Sequence, residues 1–354
     1  MSNQARLVVL IAGATGYVGG NVLYRLLNLP NARSRYEFRA IVRDADKARK
    51  LGEFGVKAIV CSLSDANLVE REVSEANVIL AVADSDDLAA AEAINKGMKK
   101  RFEKTGEQPI LIHTSGTGVL IDRALGEYAS DDIFDDGNLA HLEAIPFDAL
   151  HRQVELKVIS ADEEGYAKTY IVAPSIIYNV ARNPLVDAGV SSSRTMLCKV
   201  LAPTSIKRGR GIAIGKGENI WLHVHIDELT DFYELLFTSV LDQSRSGEVP
   251  HGKAGYFCIG AEEVKLHQLY KEVSRILFDT GKIQSAESTQ FTEEEAAKYF
   301  GPHGIILRTA FGGNSRFIGT KAKTLGWRPR KTTEDCLGSL KEEIELLARE
   351  TSSQ

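Results

Sequence analysis

The chain has 354 residues, 44% hydrophobic and 26% charged, the balance of a folded globular protein rather than a disordered or fibrous one. That length leaves room for one large or two closely joined domains. A formal net charge of -5, with Lys and Arg scattered among Asp and Glu, provides no basic stripe for a run of phosphates, so nucleic acid is excluded as a partner.

No apolar stretch reaches the roughly 20 residues that cross a bilayer, so no membrane partner is expected. The run from Leu7 to Ala12 has only Arg6 ahead of it and meets Gly13 and Gly16 at once, unlike a signal peptide. Cys61, Cys198, Cys258 and Cys336 stand far apart, with no CxxC and no His pair at ligand spacing. Neither a metal nor a disulfide framework is expected, and the thiols suit a reducing, cytoplasmic setting.

In chain order, RLVVLIAG, YEFRAIVR and VKAIVCSL read as strands, with GYVGGNVLYRLLNL and DADKARKLGEFG as the helices between them. ANVILAVA is a fourth strand, DLAAAEAINKGMKKRFEKTG a helix ended by Gly106, and PILIHTS a fifth strand. FDALHRQVELKVISADEEG reads as a helix and KTYIVAPSIIY as a sixth strand. Strands this rich in Val and Ile are buried on both faces, and the alternation predicts a doubly wound parallel α/β sheet. After Tyr178 the texture becomes irregular until HVHIDELTDFYELLFTSVL, a clear helix. Residues 1–178 are therefore read as one doubly wound domain, and 179–354 as a smaller, mixed and discontinuous lobe, with GYFCIG near 255–260 rejoining the sheet.

The octet GATGYVGG, from Gly13 to Gly20, lies between the first strand and an amphipathic helix. A dinucleotide's diphosphate has to approach main-chain N–H groups at a helix N-terminus, so side chains must be absent at the turn. Gly13 and Gly16 meet that need, and Gly19 lets the helix lie close. The GxxGxxG spacing is one residue longer than the standard dinucleotide fingerprint, and its strand-turn-helix setting gives it weight. With these glycines, and with APSIIYN, WLHVHIDEL and AKTLGWRPRKTTEDCLGSL further on, the chain resembles the extended and atypical short-chain dehydrogenase/reductases, including the epimerase/dehydratase-like and NmrA-like branches. Thr332 and Asp335 in the last segment form a candidate capping box.

That resemblance implies a nicotinamide dinucleotide held by Gly13, Thr15, Gly16, Tyr17, Val18 and Gly19. Ser62 and Leu63 would flank the adenine. Ala81, with Val82 and Ala83, Thr114 and Pro174 would lie along the cofactor. Where NAD binders carry a carboxylate, the second strand ends in Arg43, with Lys47 a turn later, which favours a 2′-phosphate and NADP, with NAD the alternative. Against this stands an Arg43 paired with Asp44 or Asp46.

Hydride-transferring relatives use a Tyr as general acid, a Lys four residues later, and a Ser or Thr that orients the carbonyl. None of the 11 tyrosines has a Lys at that spacing. Aligning Glu155 with the acidic residue usual later in the helix puts Phe147 at the Tyr position and His151 at the Lys position. Ser115 or Thr117 could orient a substrate oxygen. His151 could touch the ribose or donate a proton, since an imidazole titrates near neutrality. Tyr178 could supply a phenol or pack at the lobe junction, and Arg152 is a surface charge or a substrate anchor. His223, His225 and Asp227 lie within five residues, but no further ligand is suggested nearby, so no metal site is expected. Three readings remain: an NADP-dependent oxidoreductase acting on a small carbonyl, aldehyde, alcohol or imine; a nucleotide-sugar epimerase or dehydratase; and a non-catalytic NADP(H) sensor. The partner in the first two is a small molecule, and the chain a monomer or homodimer.

Overall fold

The computed structural model describes residues 5–242, 244, 247 and 249–351. Seven short apolar runs form one sheet: β1 Leu7–Ala12, β2 Tyr36–Val42, β3 Lys57–Val60, β4 Val78–Ala81, β5 Ile110–Thr114, β6 Lys168–Pro174 and β7 Tyr256–Ile259. Their order is β3-β2-β1-β4-β5-β6-β7, every pair parallel, and Ala12 is opposite both Ile41 and Ala81. The chain steps outward through β2 and β3, then returns to the other side of β1 at β4. This reversal opens a crevice at the carboxyl ends of β1 and β4, the place where such sheets bind ligands.

Four helices matter for the site: α1 Tyr17–Leu27, α2 Leu88–Thr105, α3 Arg152–Glu163 and α4 Ile226–Leu241. Alternate strand residues feed opposite faces. Val9 and Ile11 pack with Val22, Leu26, Phe232 and Phe237 of α1 and α4, while Leu10 and Leu111 pack with Ile94, Met98, Val154 and Val158 of α2 and α3. Both faces of the sheet are thereby covered, as parallel strands require. Asp87 caps α2 by accepting from Ala90 N–H at 2.9 Å, and Gly106, at φ 73°, ends it in the left-handed region where a β-carbon is disfavoured.

The expected sixth strand is split. Lys168–Pro174 stays in the large sheet, but at Ser175 the chain turns away, and Ile176–Tyr178 joins a three-stranded sheet with Ile220–His225 and Glu262–Lys265. The apolar run concealed this because both halves are strand-forming and rich in Ile. The helix expected from Phe147 begins only at Arg152, since residues up to His151 form a turn. The stretch after Tyr178 is also more regular than its composition suggests. Met196–Arg208 is a helix, capped by Thr195 and closed by Gly209, and its internal Pro203 masks the pattern. The smaller sheet carries its own core, around Tyr178, Leu266, Tyr270, Leu277, Cys336 and Leu340. Among the described residues no helix is long and apolar enough to cross a membrane.

Candidate functional site

The turn after β1 is built so tightly that no side chain fits at Gly13 or Gly19. Gly13 has φ 97°, and a β-carbon on it would lie 2.5 Å from the Val82 carbonyl oxygen at the end of β4. A β-carbon on Gly19 would lie 2.2 Å from the Gly13 carbonyl oxygen, so Gly19 serves the approach of α1 to the turn itself. Gly16 donates its N–H to Gly13 at 2.9 Å and is the N-cap of α1, with no side chain to cap the first-turn N–H groups. Those donors and the positive end of the helix dipole form an anion cradle. Thr15 lies in the same turn, its carbonyl accepting from Ser192 N–H at 3.2 Å, and Val18, in the first turn of α1, packs against the core. Tyr17 reaches across to donate its hydroxyl to the carbonyls of Tyr178 and Asn179, and burial raises its pKa well above the ordinary phenol value.

Arg43 stands exposed at the end of β2 without an ion pair among the described residues. Both rivals for it are engaged elsewhere: Asp44 caps the next helix by accepting from Asp46 and Lys47 N–H, and Asp46 pairs with Arg49 at 3.0 Å and Lys50 at 3.6 Å. Leu63 and Ala81 meet Ala12 and His113 around a cavity of about 20 Å³, while Ser62 lies exposed with its hydroxyl engaged by Ser64. Thr114 shares a 2.6 Å hydrogen bond with Tyr233 of α4, and Pro174 is the buried last residue of β6.

The second cluster gathers at the ends of β4 and β5. His151 caps α3 at φ 67°, a left-handed conformation that costs a non-glycine residue of order 1–3 kcal/mol and tends to persist at functional sites. Its Nδ1 lies 2.8 Å from Asp86 Oδ1 and 3.0 Å from Ser85 Oγ, and its backbone N–H also donates to Asp86 at 3.1 Å. The hydrogen bond from His151 holds the Asp86 carboxyl below its usual range. Nε2 is turned to the loop after β5, where β-carbons on Gly116 and Gly118 would sit 3.2 and 3.1 Å from it. Behind it, His113 is buried with Nε2 unpartnered, and desolvation pulls its pKa down to about 4.

Several expected roles are not met. Ser115 is buried and donates its hydroxyl to Glu155 Oε1 at 2.6 Å; Tyr256 donates to the same oxygen at 2.7 Å, and Arg152 holds Oε2 at 3.2 Å. Arg152 is thus neither a surface charge nor a substrate anchor; it is an internal partner of Glu155 that also donates to the Leu142 carbonyl. Thr117 is fully buried with its hydroxyl unpartnered. Phe147 is 66% exposed on the turn before α3, so its place is not the helix face that an acid would use. Tyr178 turns into the small sheet's core, edge-on to His223 and His225, and offers no phenol to the sheet edge. His225 and His223 are structural: the first caps α4 by accepting from Asp227 N–H, and the second bonds Thr333 at 2.9 Å. Thr332 and Asp335 do form the reciprocal cap.

Sequence reasoning passed over Ser85 and Asp86. The signal was present: Asp84, Asp86 and Asp87 crowd ahead of α2, and a helix needs only one N-cap, which leaves a carboxylate over.

The reversed sheet order and the tight first turn define a doubly wound, Rossmann-like α/β fold. A family model described as the NmrA-like family matches residues 6–100. Over 337 residues the chain is 27% identical to Oxidase ucsJ of an Acremonium species, with 91% of this chain and 92% of that protein covered. Among solved structures, UDP-glucose 4-epimerase of Thermotoga maritima, in complex with UDP-glucose, matches with TM-score 0.62 at 17% identity, covering 98% of this chain and all of that one. UDP-glucuronic acid 4-epimerase of Bacillus cereus and dTDP-glucose 4,6-dehydratase of Bacillus anthracis, both with NAD, match with TM-scores 0.60 and 0.61 at 14% and 12% identity. They cover 96% and 97% of this chain, and 100% and 97% of their own. The fold is that of these epimerases and dehydratases.

Proposed function

We propose that the protein is an NADP-dependent oxidoreductase that moves hydride to or from a small carbonyl, imine, alcohol or aldehyde. The observation that carries this reading is the turn at Gly13, Gly16 and Gly19, where Gly13 and Gly19 leave no room for a side chain, at the uncapped start of α1. The NAD in two neighbours of the same fold supports a dinucleotide there. A relative named as an oxidase supports redox chemistry. The unpaired guanidinium of Arg43 supports NADP over NAD, because a planar fork suits a 2′-phosphate. Ser62 and Leu63 would stand at the adenosine end, and Ala81, Thr114 and Pro174 along the sheet edge.

When bound, the nicotinamide supplies the hydride chemistry. The chain's own part is the proton. His151 would give or take it at Nε2, while Asp86, bonded to Nδ1, fixes the orientation of the ring. Ser115 is engaged with Glu155 and takes no part in this step. A second reading, a non-catalytic NADPH-binding protein, is favoured by the missing Tyr-Lys pair and the NmrA-like match.

Calorimetric titration tests the first reading. NADPH should bind, and Arg43→Ala should weaken it about ten- to hundredfold, the range of one charge-assisted contact, while NADH changes little. No uptake of either coenzyme by folded protein ends the dinucleotide reading, and equal loss for both ends the choice of NADP. Oxidation of NADPH with a panel of aldehydes and ketones then separates enzyme from sensor.

A further inference from the structure

Outside the end of β5 lies a cavity of about 810 Å³, in the range that takes an organic ligand. Its walls are residues 118–123 after β5, residues 130–134, residues 144–150 before α3, and the helix Gly304–Gly312. It begins at Gly118, which backs onto His151 Nε2, and Leu150 brings it to the residue before that histidine. Leu120, Ile121, Ile133, Leu150, Ile305 and Ile306 line it. Three of these are large aliphatics left open to solvent: Ile305 at 54%, Ile306 at 51% and Ile133 at 39%. Contiguous exposed aliphatic surface in a concavity marks a binding site.

The charges around this cavity do not suit a diphosphate. Arg316 is engaged by Glu263 at 2.9 and 3.0 Å and by the Ser130 carbonyl. Asp122 is engaged by Asn314. That leaves Arg123 against the carboxylates of Asp132 and Asp148, which have no ion pair among the described residues. A nucleotide sugar would bring two phosphates into a site whose free charges sum to less than zero.

We infer that this cavity is the substrate pocket, and that it takes a largely apolar carbonyl or imine compound rather than a nucleotide sugar. The inference rests on the oxidoreductase reading for the word substrate, whereas the chemistry of the pocket rests on its own walls. Burial of an alkyl or aryl body against the isoleucines would stabilise the complex in proportion to area, and would present the polar head toward Gly118 and His151.

The test is displacement of Nile red, followed by its fluorescence, from the full chain. The dye should bind saturably, methyl nonyl ketone should displace it, and UDP-glucose should not. In the double variant Ile305→Asp/Ile306→Asp, dye and ketone should bind at least about tenfold more weakly, with melting temperature and NADPH uptake unchanged, since both side chains are half exposed. Displacement by UDP-glucose at or below the ketone concentration overturns the inference. So does unaltered dye or ketone binding in that variant, or no saturable dye binding at all. Failure of NADPH uptake with ketone displacement intact would remove the oxidoreductase reading and leave the apolar pocket standing.

Discussion

At the β1–α1 turn the surface offered to a ligand is main chain; at the ends of β4 and β5 it is side chain drawn from three separate segments. Gly13, Gly16 and Gly19 are consecutive features of one loop, and what they provide is the absence of atoms. Ser85, Asp86, His113 and His151 come from the loop after β4, from β5 and from the cap of α3, and they meet only because the sheet is folded. A backbone site is therefore written locally, whereas a side-chain site depends on register and on where a helix starts.

The sharpest way to break the comparison is at His151. His151→Ala should lower kcat with any accepted carbonyl by roughly 10² to 10⁴, the usual worth of a positioned acid–base group, and leave NADPH affinity unchanged in calorimetry. A variant with full turnover would remove the histidine from the chemistry. Next in size is Glu155→Gln. It leaves the Arg152 guanidinium buried against a neutral amide, so chemical denaturation should show a loss of about 3–5 kcal/mol. A loss of catalysis with stability intact would instead give Glu155 a direct role.

At the other end, Gly19→Ala drives a β-carbon against the Gly13 carbonyl and should weaken NADPH uptake and folding together by about 1–3 kcal/mol. Tight NADPH binding by that variant would mean the turn is not the cradle. A pH dependence tests the two buried histidines separately. Burial lowers the pKa of His113 and of His223 to about 4. The unfolded chain takes up both protons near pH 6.5, before the folded one can, so stability is whole above that value and falls as pH drops toward 4. Each histidine contributes roughly 1.4 kcal/mol per pH unit across that window. Thermal melts should show the decline, and His113→Asn should flatten it.

These contrasts explain what was legible. The strands announced themselves because parallel strands buried on both faces need unbroken Val and Ile, and the glycine turn because each glycine answers a steric demand. The break at Ser175 was hidden, since the residues on either side of it are equally apolar and β-branched and nothing in them marks the change of sheet. The helix register at α3 was hidden too. Phe147 looked like a helix residue from its spacing to His151 and Glu155, but the left-handed cap at His151 puts the helix start after it. With that start, the pair four residues apart at the sheet edge is His151 and Glu155. The first faces the loop and the second is sealed beneath Ser115.

The two neighbouring strands β6 and β7 both run on into the small sheet, where Ile220–His225 wedges between their continuations. Ser175 is fastened to Leu222 by its hydroxyl, and Ala261 to His223 by its N–H. A fork with both tines clamped has no single joint about which one half can swing. A jaw-like motion of the whole lobe over a guest would have to break both clamps at once.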